Sequence, residues 1–381
     1  MVVKLSSFTV IVGQNGAGKS NFVDALRFVS DCMQGSVAQA LRSRGNIGVV
    51  RRHSRGHPTN IGFRVIIGLP DGGLADYSFE LKAERQAGFT VKRERCTIQP
   101  MLKNQVKYEV ANGVFIHPVL DVRPRLEADS LALPLLSALP EFRPLYDFLT
   151  NMRFYALSPD RIRELQDPDA GLVLNREGSN SAAVLREIAK KKPREYERLC
   201  NLLSKVVPGT TGAEYVSSGQ KETIRFKQDV GDVAPWNFDA LNMSDGTLRV
   251  LAVLLAVYQI SSPRFIAIEE PESTIHPAAI DILVDILRDG ATRSQVLITT
   301  HSPDIVDNKA IKDDDLRLVT STKGITQVAP LSEISKGIIR DHLYTAGELL
   351  RSSELRADDK QAEELERQLT LFGSPQLVAQ R

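Results

Sequence analysis

The clearest chemistry in this sequence lies in an octapeptide near its amino terminus that fits the pattern G-x-x-x-x-G-K-[S/T]. Its residues are Gly13, Gln14, Asn15, Gly16, Ala17, Gly18, Lys19 and Ser20. Glycines at these places let successive backbone N–H groups turn toward an anion, and a helix that begins here adds the favourable end of its dipole. In such a loop the lysine reaches the β- and γ-phosphates, and the serine hydroxyl binds Mg²⁺. The pattern predicts a nucleotide-binding site.

The segments on either side of this loop fit that prediction. Phe8–Val12 is apolar and is typical of a buried strand. Residues 21–29 place Phe22, Leu26 and Val29 on one face of a helix. A strand, a glycine-rich loop and a helix in this order form the structural context that a phosphate loop requires.

A second predicted strand ends in paired carboxylates. Residues 265–268 are apolar, and Glu269 and Glu270 follow them. In a parallel sheet, such a strand delivers polar groups at its carboxyl end, beside the phosphates. Glu269 is therefore placed to hold Mg²⁺, directly or through water, and Glu270 to polarise the water that attacks the γ-phosphate. Without the upstream loop, the same pair would equally fit an exposed turn.

Two further motifs complete the pattern. Residues 295–300 predict a third buried strand, and His301 at its end is placed to contact the γ-phosphate and orient the attacking water. Ser244 is a natural N-cap for an apolar helix over 248–257, and Asp245 and Gly246 leave backbone N–H groups free to bind an anion.

The order of these motifs resembles the ATP-binding-cassette ATPases of the SMC/RecF type, especially the short prokaryotic members labelled AAA. The motifs that carry the resemblance are Gly-Lys-Ser-Asn at 18–21, Ser-Asp-Gly at 244–246, Glu-Glu-Pro-Glu-Ser-Thr-Ile-His-Pro at 269–277, Thr-His-Ser-Pro at 300–303 and the stretch at 343–350. The resemblance implies an α/β P-loop NTPase head with a mixed sheet, an antiparallel β-meander and an inserted helical subdomain. It also implies ATP and Mg²⁺ as cofactors, Asn21 as part of the ATP site, and a head-to-tail homodimer. In that dimer, Ser244 and Gly246 of one subunit complete the ATP site of the other.

Three features depart from the family pattern. Only residues 1–7 stand where the family has a further strand and loop, so the residue that stacks on the base is not identified. Glu269 occupies the position at which the family usually has aspartate. The glutamine that senses Mg²⁺ in the family has three candidates here, Gln99, Gln105 and Gln166.

The composition sets limits on the class of protein. The net charge of +1 gives no overall attraction to nucleic acid or membrane, so any such binding requires local patches. The three cysteines are far apart, which argues against a disulfide framework or a zinc site. No segment reads as a signal peptide or a membrane span. We expect a cytoplasmic protein.

The predicted organisation is a head over residues 1–352 and a charged tail over 353–381. Within the head we distinguish a phosphate-loop part (1–60), a β-meander (61–118), a mainly helical insertion (119–240), a lobe with the Ser-Asp-Gly, acidic and histidine motifs (241–320), and a C-terminal element (321–352).

The spacing of the motifs narrows the class of ATPase. Ser244 follows Lys19 by 225 positions, which is long for a transporter ATPase, yet no sustained heptads predict a coiled-coil arm. The chain after His301 is short and poor in clustered carboxylates for a fused nuclease. Any effector is therefore expected to be a separate, nuclease-like protein.

One arginine-rich stretch is the candidate nucleic-acid contact. Its residues are Arg42, Arg44, Arg51, Arg52 and Arg55. Such side chains would neutralise DNA or RNA phosphates without reading sequence, and they equally fit solvated surface charge.

Two hypotheses for function follow. The first is an Mg²⁺-dependent ATPase whose nucleotide state switches a dimer that acts on DNA, RNA or an effector, in DNA repair or phage defence. The alternative is an ATP-binding scaffold that hydrolyses little and holds a separate nuclease or toxin.

Overall fold

The computed structural model describes residues 1–50, 60–84, 88–117, 125–322 and 324–373. The chain divides into two compact units. The first unit comprises Met1–Val23 and Arg153–Glu364, and the second comprises Asp24–Met152 and Leu365–Arg381. The division at residue 352 into a head and a tail stays a prediction.

The strands are numbered in chain order. They are β1 (Phe8–Val12), β2 (Asn60–Gly68), β3 (Leu74–Ala83), β4 (Phe89–Gln99), β5 (Val106–Ala111), β6 (Val114–His117), β7 (Met152–Tyr155), β8 (Thr210–Ser218), β9 (Lys221–Gln228), β10 (Trp236–Asp239), β11 (Phe265–Glu269), β12 (Gln295–Thr300), β13 (Leu316–Thr322) and β14 (Ile325–Pro330).

The α-helices follow the same convention. They are α1 (Lys19–Gln34), α2 (Val37–Arg42), α3 (Ile47–Val50), α4 (Leu133–Leu136), α5 (Arg143–Thr150), α6 (Pro159–Arg163), α7 (Ser181–Lys191), α8 (Pro193–Val206), α9 (Asp245–Tyr258), α10 (Ile280–Ala291), α11 (Pro303–Val306), α12 (Glu333–Arg340), α13 (Ala346–Arg351) and α14 (Asp359–Gln368).

A six-stranded mixed sheet organises the first unit, in the order β14-β13-β1-β12-β11-β7. The pairs β13–β1, β1–β12 and β12–β11 are parallel, whereas β13 and β14 are antiparallel. β1 is buried over its whole length, as its continuous apolar sequence predicts. A second, three-stranded sheet joins β8, β9 and β10.

Helix α9 lies in the core of the first unit. It is apolar on almost every side, and only its first residues and Arg249 escape burial. A helix that is hydrophobic all round has to be enclosed by other elements, and α9 contacts α6, α7, α8 and α10. Within the described ranges, no helix is long and apolar enough to cross a membrane.

The second unit contains the predicted meander, a five-stranded antiparallel sheet in the order β2-β3-β4-β5-β6. Its last hairpin turns on Asn112 and Gly113, with φ of 49° and 77°. Asn-Gly is the pair that a tight hairpin with two left-handed residues requires. With the mixed sheet and the helices α4–α8, this meander confirms the predicted fold class.

A buried carboxylate joins the meander to the helices that follow it. Glu94 on β4 is fully buried and accepts hydrogen bonds from the hydroxyls of Tyr77 (2.9 Å) and Tyr108 (2.8 Å). It also accepts the backbone N–H groups of Ala132 and Leu133 at the start of α4. Four donors converge on one acceptor group, so the carboxylate is the polar anchor of this unit.

We predict that Glu94→Gln destabilises the protein by about 2–4 kcal/mol, because the amide nitrogen cannot accept the donors that face it and leaves buried groups unpaired. A chemical-denaturation curve measures the loss. Glu84→Gln, at an exposed ion pair with Lys82, is the control and should leave the midpoint unchanged. An unchanged curve for Glu94→Gln would show that Glu94 is not an anchor.

Candidate functional site

Three strand ends meet at one edge of the six-stranded sheet. β1, β12 and β11 are neighbours and run parallel, and the register pairs Glu269 with Thr299. The residues that follow these strands therefore emerge side by side: the phosphate loop after β1, His301 after β12 and Glu270 after β11. The sheet thus brings the three predicted motifs together.

The phosphate loop, residues 13–20, has a backbone that its glycines make possible. Gly16 and Gly18 are left-handed, with φ of 76° and 107°. A Cβ atom on Gly18 would also lie 2.5 Å from Oγ1 of Thr326 on β14. Since α1 begins at Lys19, the unpaired N–H groups of its first turn adjoin this loop.

Lys19 is held at the centre of the loop. Its Nζ donates to the carbonyl oxygens of Gly13 (2.8 Å) and Gln14 (3.2 Å), and the residue is buried. Burial lowers the pKa of the Lys19 ammonium, whereas the negative charges of Glu270 and Glu272 act in the opposite direction. The ammonium therefore has neutral hydrogen-bond partners that a phosphate can replace.

Glu270 and His301 form a contact across the strand ends. His301 Nδ1 lies 3.2 Å from Glu270 Oε1, and both side chains are about half exposed. Glu270 has a left-handed backbone, with φ of 43°, and its N–H donates to the carbonyl oxygen (3.0 Å) and the hydroxyl (3.2 Å) of Thr299. The strained turn presents this carboxylate and the imidazole to the same volume of solvent.

A second carboxylate, Glu272, was not identified as functional from the sequence. It is buried, accepts a hydrogen bond from the hydroxyl of Thr300, and its other oxygen has no partner. Burial raises the pKa of the Glu272 carboxyl, and the Thr300 bond acts in the opposite direction. The Glu-Glu-Pro-Glu sequence at 269–272 was the available signal, but it does not show which glutamate is enclosed.

Two oxygen donors fit a magnesium ion. The first is the hydroxyl of Ser20, an exposed residue in the first turn of α1. The second is the carboxylate of Glu269, the last residue of β11. Mg²⁺ takes hard oxygen ligands and commonly has one or two from the protein, with phosphates and water supplying the others. In the described part of the chain, no group of three or more His, Cys, Asp or Glu could hold a metal by itself. The Oε1 atom of Glu269 lies 3.4 Å from Nη2 of Arg176.

The Ser-Asp-Gly motif starts α9 as predicted. Ser244 Oγ accepts the N–H of Thr247 (3.2 Å) and is the N-cap. Asp245 accepts a hydrogen bond from Arg163 (2.6 Å) within the same chain. A Cβ on Gly246 would lie 2.7 Å from the carbonyl oxygen of Thr274, so the helix start lies directly against the segment that follows Glu272.

A cavity of about 330 Å³ adjoins the phosphate loop on the β13 side. It is lined by Gly13, Gln14, Asn15, Gly16, Ala17, Leu318, Val319, Thr320, Ser321, Leu350, Ser353 and Leu355. Gln14 Nε2 donates to Ser353 Oγ at 2.7 Å, which joins the loop to the segment after α13. No pattern in the sequence predicts this contact, because the two residues are 339 positions apart.

The arginine-rich stretch is only partly described. Arg42, at the end of α2, is exposed. Arg44 is 7% exposed and is paired with Asp24 (2.8 Å) and Asp31 (2.9 Å), so its guanidinium is already engaged. Arg51, Arg52 and Arg55 lie outside the described residues.

The three candidate glutamines have other partners. Gln166 is buried, donates to the carbonyl oxygen of Ile162 (3.0 Å) and accepts the N–H of Ala182 (2.9 Å). Gln105 donates to Gln99 (3.2 Å) within the second unit. These bonds give Gln166 a structural role and identify none of the three as a magnesium sensor.

Comparison with known proteins identifies the family. The family model described as "AAA domain, putative AbiEii toxin, Type IV TA system" matches residues 8–307, and the chain belongs to this family. No significant match is found among curated proteins.

Solved structures show a likeness to SMC heads. A structure described as "Crystal structure of the SmcHead bound to the C-winged helix domain of ScpA" has a TM-score of 0.52 and 16% identity, covering 88% of this chain and 94% of that chain. An Smc head bound to the C-terminal domain of ScpA, derived from Pyrococcus furiosus, has a TM-score of 0.46 and 16% identity, and the match covers 90% of this chain and 94% of that chain. The SMC head domain from Thermotoga maritima has a TM-score of 0.40 and 15% identity, and the match covers 87% of this chain and 92% of that chain. The predicted resemblance to short SMC/RecF-type P-loop ATPases is confirmed by the family match and the first of these likenesses.

We predict that Lys19→Ala removes the stabilisation by Mg²⁺-ATP while changing the melting temperature of the nucleotide-free protein little. The variant loses two bonds to neutral carbonyls but no longer buries an ammonium. Differential scanning fluorimetry measures both quantities, since ATP at a hundred times its Kd stabilises by about 2.7 kcal/mol. Lys191→Ala, which removes an exposed lysine side chain paired with Glu187, is the control. An ATP shift that survives in Lys19→Ala would contradict the assignment.

Proposed function

We propose that this member of the AAA family binds ATP with Mg²⁺ and hydrolyses it. The observation that carries the proposal is the contact between Glu270 and His301 at the ends of β11 and β12, at the same sheet edge as the phosphate loop. A half-exposed carboxylate beside an imidazole, at the same sheet edge as a phosphate-binding lysine, is the arrangement that water attack on a γ-phosphate requires.

Each residue has a distinct role in this proposal. Lys19 exchanges the carbonyl oxygens of the loop for the β- and γ-phosphates, while the N–H groups of the loop surround the phosphate chain. Ser20 and Glu269 hold Mg²⁺, which neutralises charge that develops on the phosphate oxygens. Glu270 accepts the proton of the attacking water, and His301 orients that water and the γ-phosphate.

The cavity beside the loop supports a nucleotide rather than an inorganic phosphate as the ligand. Its volume of about 330 Å³ lies within the usual range for small-molecule sites. Apolar side chains from β13 and from the segment around α13 line it together with the loop backbone. A base and ribose fit such a lining.

We further propose that two copies associate head to tail, with Ser244–Gly246 of each closing over the nucleotide of the other. Ser244 and Asp245 are exposed at the start of α9, which leaves the capping turn available to a ligand outside the subunit. The ATP-dependent dimer would then act on DNA or RNA, with Arg42 as a phosphate contact, or on a separate effector protein. The matched SMC head binds another protein, and the family description mentions a toxin–antitoxin system.

One observation favours the alternative, an ATP-binding scaffold with little turnover. Arg176 contacts the carboxylate of Glu269, the group that would hold the metal. If this contact persisted with ATP bound, the Mg²⁺ site would lack its acidic ligand. Steady-state phosphate release distinguishes the two functions, because a scaffold would release no more phosphate than Lys19→Ala.

We predict that Glu270→Gln lowers the rate of ATP hydrolysis by roughly 10²–10⁴-fold, the usual contribution of a positioned general base. Glutamine keeps the size of the side chain and can hydrogen-bond water, but it cannot accept a proton. ATP binding should survive, so the variant should accumulate as a dimer in ATP by multi-angle light scattering.

Glu333→Gln, on an exposed face of α12, is the matched control and should hydrolyse ATP at the wild-type rate. Wild-type turnover by Glu270→Gln would remove Glu270 from the role of base. A variant that binds ATP but never gains mass would contradict the head-to-tail dimer.

A further inference from the structure

The proposed mechanism leaves out two charged side chains, the partly buried Arg249 on α9 and the buried Glu272 in the segment after β11. Arg249, in the second turn of α9, donates from Nη1 to the carbonyl oxygen of Leu157 (2.6 Å), and its Nε is buried without a partner. Glu272 accepts the Thr300 hydroxyl with one oxygen, and its Oε2 is buried without a partner. The unpaired atom of Arg249 is a hydrogen-bond donor and that of Glu272 is an acceptor, and the two side chains have opposite charges.

The charge of Glu272 acts on Arg249. Burial lowers the pKa of the Arg249 guanidinium, and the negative charge of Glu272 is the largest influence in the opposite direction. A buried carboxylate without a counter-ion is costly, and a guanidinium nearby reduces that cost. Lys19 is influenced by Glu272 as well, so Arg249 is the positive charge near this carboxylate that the proposed mechanism does not use.

Glu272 is connected to the residue that contacts the attacking water. Its partner Thr300 ends β12, and Thr300 Oγ1 accepts the N–H of Ser302 at 2.9 Å. These two bonds bracket His301, so they fix the turn from which the imidazole reaches Glu270. A change at Glu272 would move the turn that carries His301.

The helix start provides a second link to the same segment. A Cβ on Gly246 would lie 2.7 Å from the carbonyl oxygen of Thr274, two residues after Glu272. Thr274 has a left-handed backbone, with φ of 67°. Because backbone packs against backbone here, α9 and the acidic segment cannot move independently.

We propose that Arg249 and Glu272 are positioning residues for the hydrolysis reaction. The guanidinium is the positive charge that balances the buried carboxylate, and its unpaired Nε–H is the donor that matches the unpaired Oε2. The pair thereby couples the Ser-Asp-Gly end of α9 to the turn that carries His301 within one subunit. This inference rests on the proposed ATPase function for its catalytic consequence.

A double-mutant cycle tests the pair. Arg249→Gln and Glu272→Gln are each expected to lower kcat about tenfold while the Kd for ATP changes less than about twofold, because neither side chain touches the nucleotide. The double variant is expected to be no slower than the slower single variant, whereas independent effects would multiply to about a hundredfold. Arg249→Lys should not restore the rate, because lysine lacks the planar Nε donor.

The same cycle in the nucleotide-free protein does not depend on hydrolysis. Arg249→Gln leaves Glu272 uncompensated and should lower the melting temperature by a few degrees, on the order expected for one buried unpaired charge. Adding Glu272→Gln should restore the melting temperature. Arg225→Gln, at the exposed pair with Asp239 on β9 and β10, is the control and should change neither kcat nor this cycle.

Multiplicative effects on kcat together with additive effects on melting would overturn the coupling. A wild-type protein without turnover would instead contradict the proposed ATPase, and the melting cycle would still decide whether Arg249 and Glu272 form a pair.

Discussion

The parallel register of β1, β12 and β11 is the constraint on which the site depends. The interiors of these strands are buried and contain no charged side chain, so charged groups stand only where the strands end. Because parallel neighbours end at the same edge, Glu270 and His301 lie next to the phosphate loop although hundreds of residues separate them in sequence. A change of register would move these groups relative to the loop by whole residues.

Charged groups of both signs lie at this edge. Lys19 donates to carbonyl oxygens and is influenced by Glu270 and Glu272, and the charge of Glu272 also acts on Arg249. Under the proposed function, the phosphates of a nucleotide exchange with the carbonyl partners of Lys19. This exchange is favourable because the hydrogen bond of the Lys19 ammonium to a neutral carbonyl oxygen is weaker than one to a charged phosphate oxygen.

The sequence predicted the parts of this molecule that are encoded locally. The glycine-rich loop, the apolar strands and the Ser244 cap each depend on neighbours within a few residues. The anchors Glu94 and Glu272 could not be predicted, because their partners come from distant segments and only the fold encloses them. Arg44 shows the same limit: its charge was visible in the sequence, but its pairing with Asp24 and Asp31 was not. Composition gives the sign of a charge, and packing decides whether solvent reaches it.

The contact between Arg176 and Glu269 is weak enough to leave the carboxylate of Glu269 available to the proposed metal ion. The distance of 3.4 Å and the 48% exposure of Arg176 place this pair in the class of surface ion pairs, which contribute about 0–1 kcal/mol. A divalent cation held by phosphates attracts the same carboxylate more strongly, because its charge is double and its ligand distance is shorter. Under the proposed function, Arg176 neutralises Glu269 in the absence of metal and would release this carboxylate when Mg²⁺ is bound with ATP. Weak, exchangeable partners around a fixed sheet edge are what a site needs if it is to bind, react and release in turn.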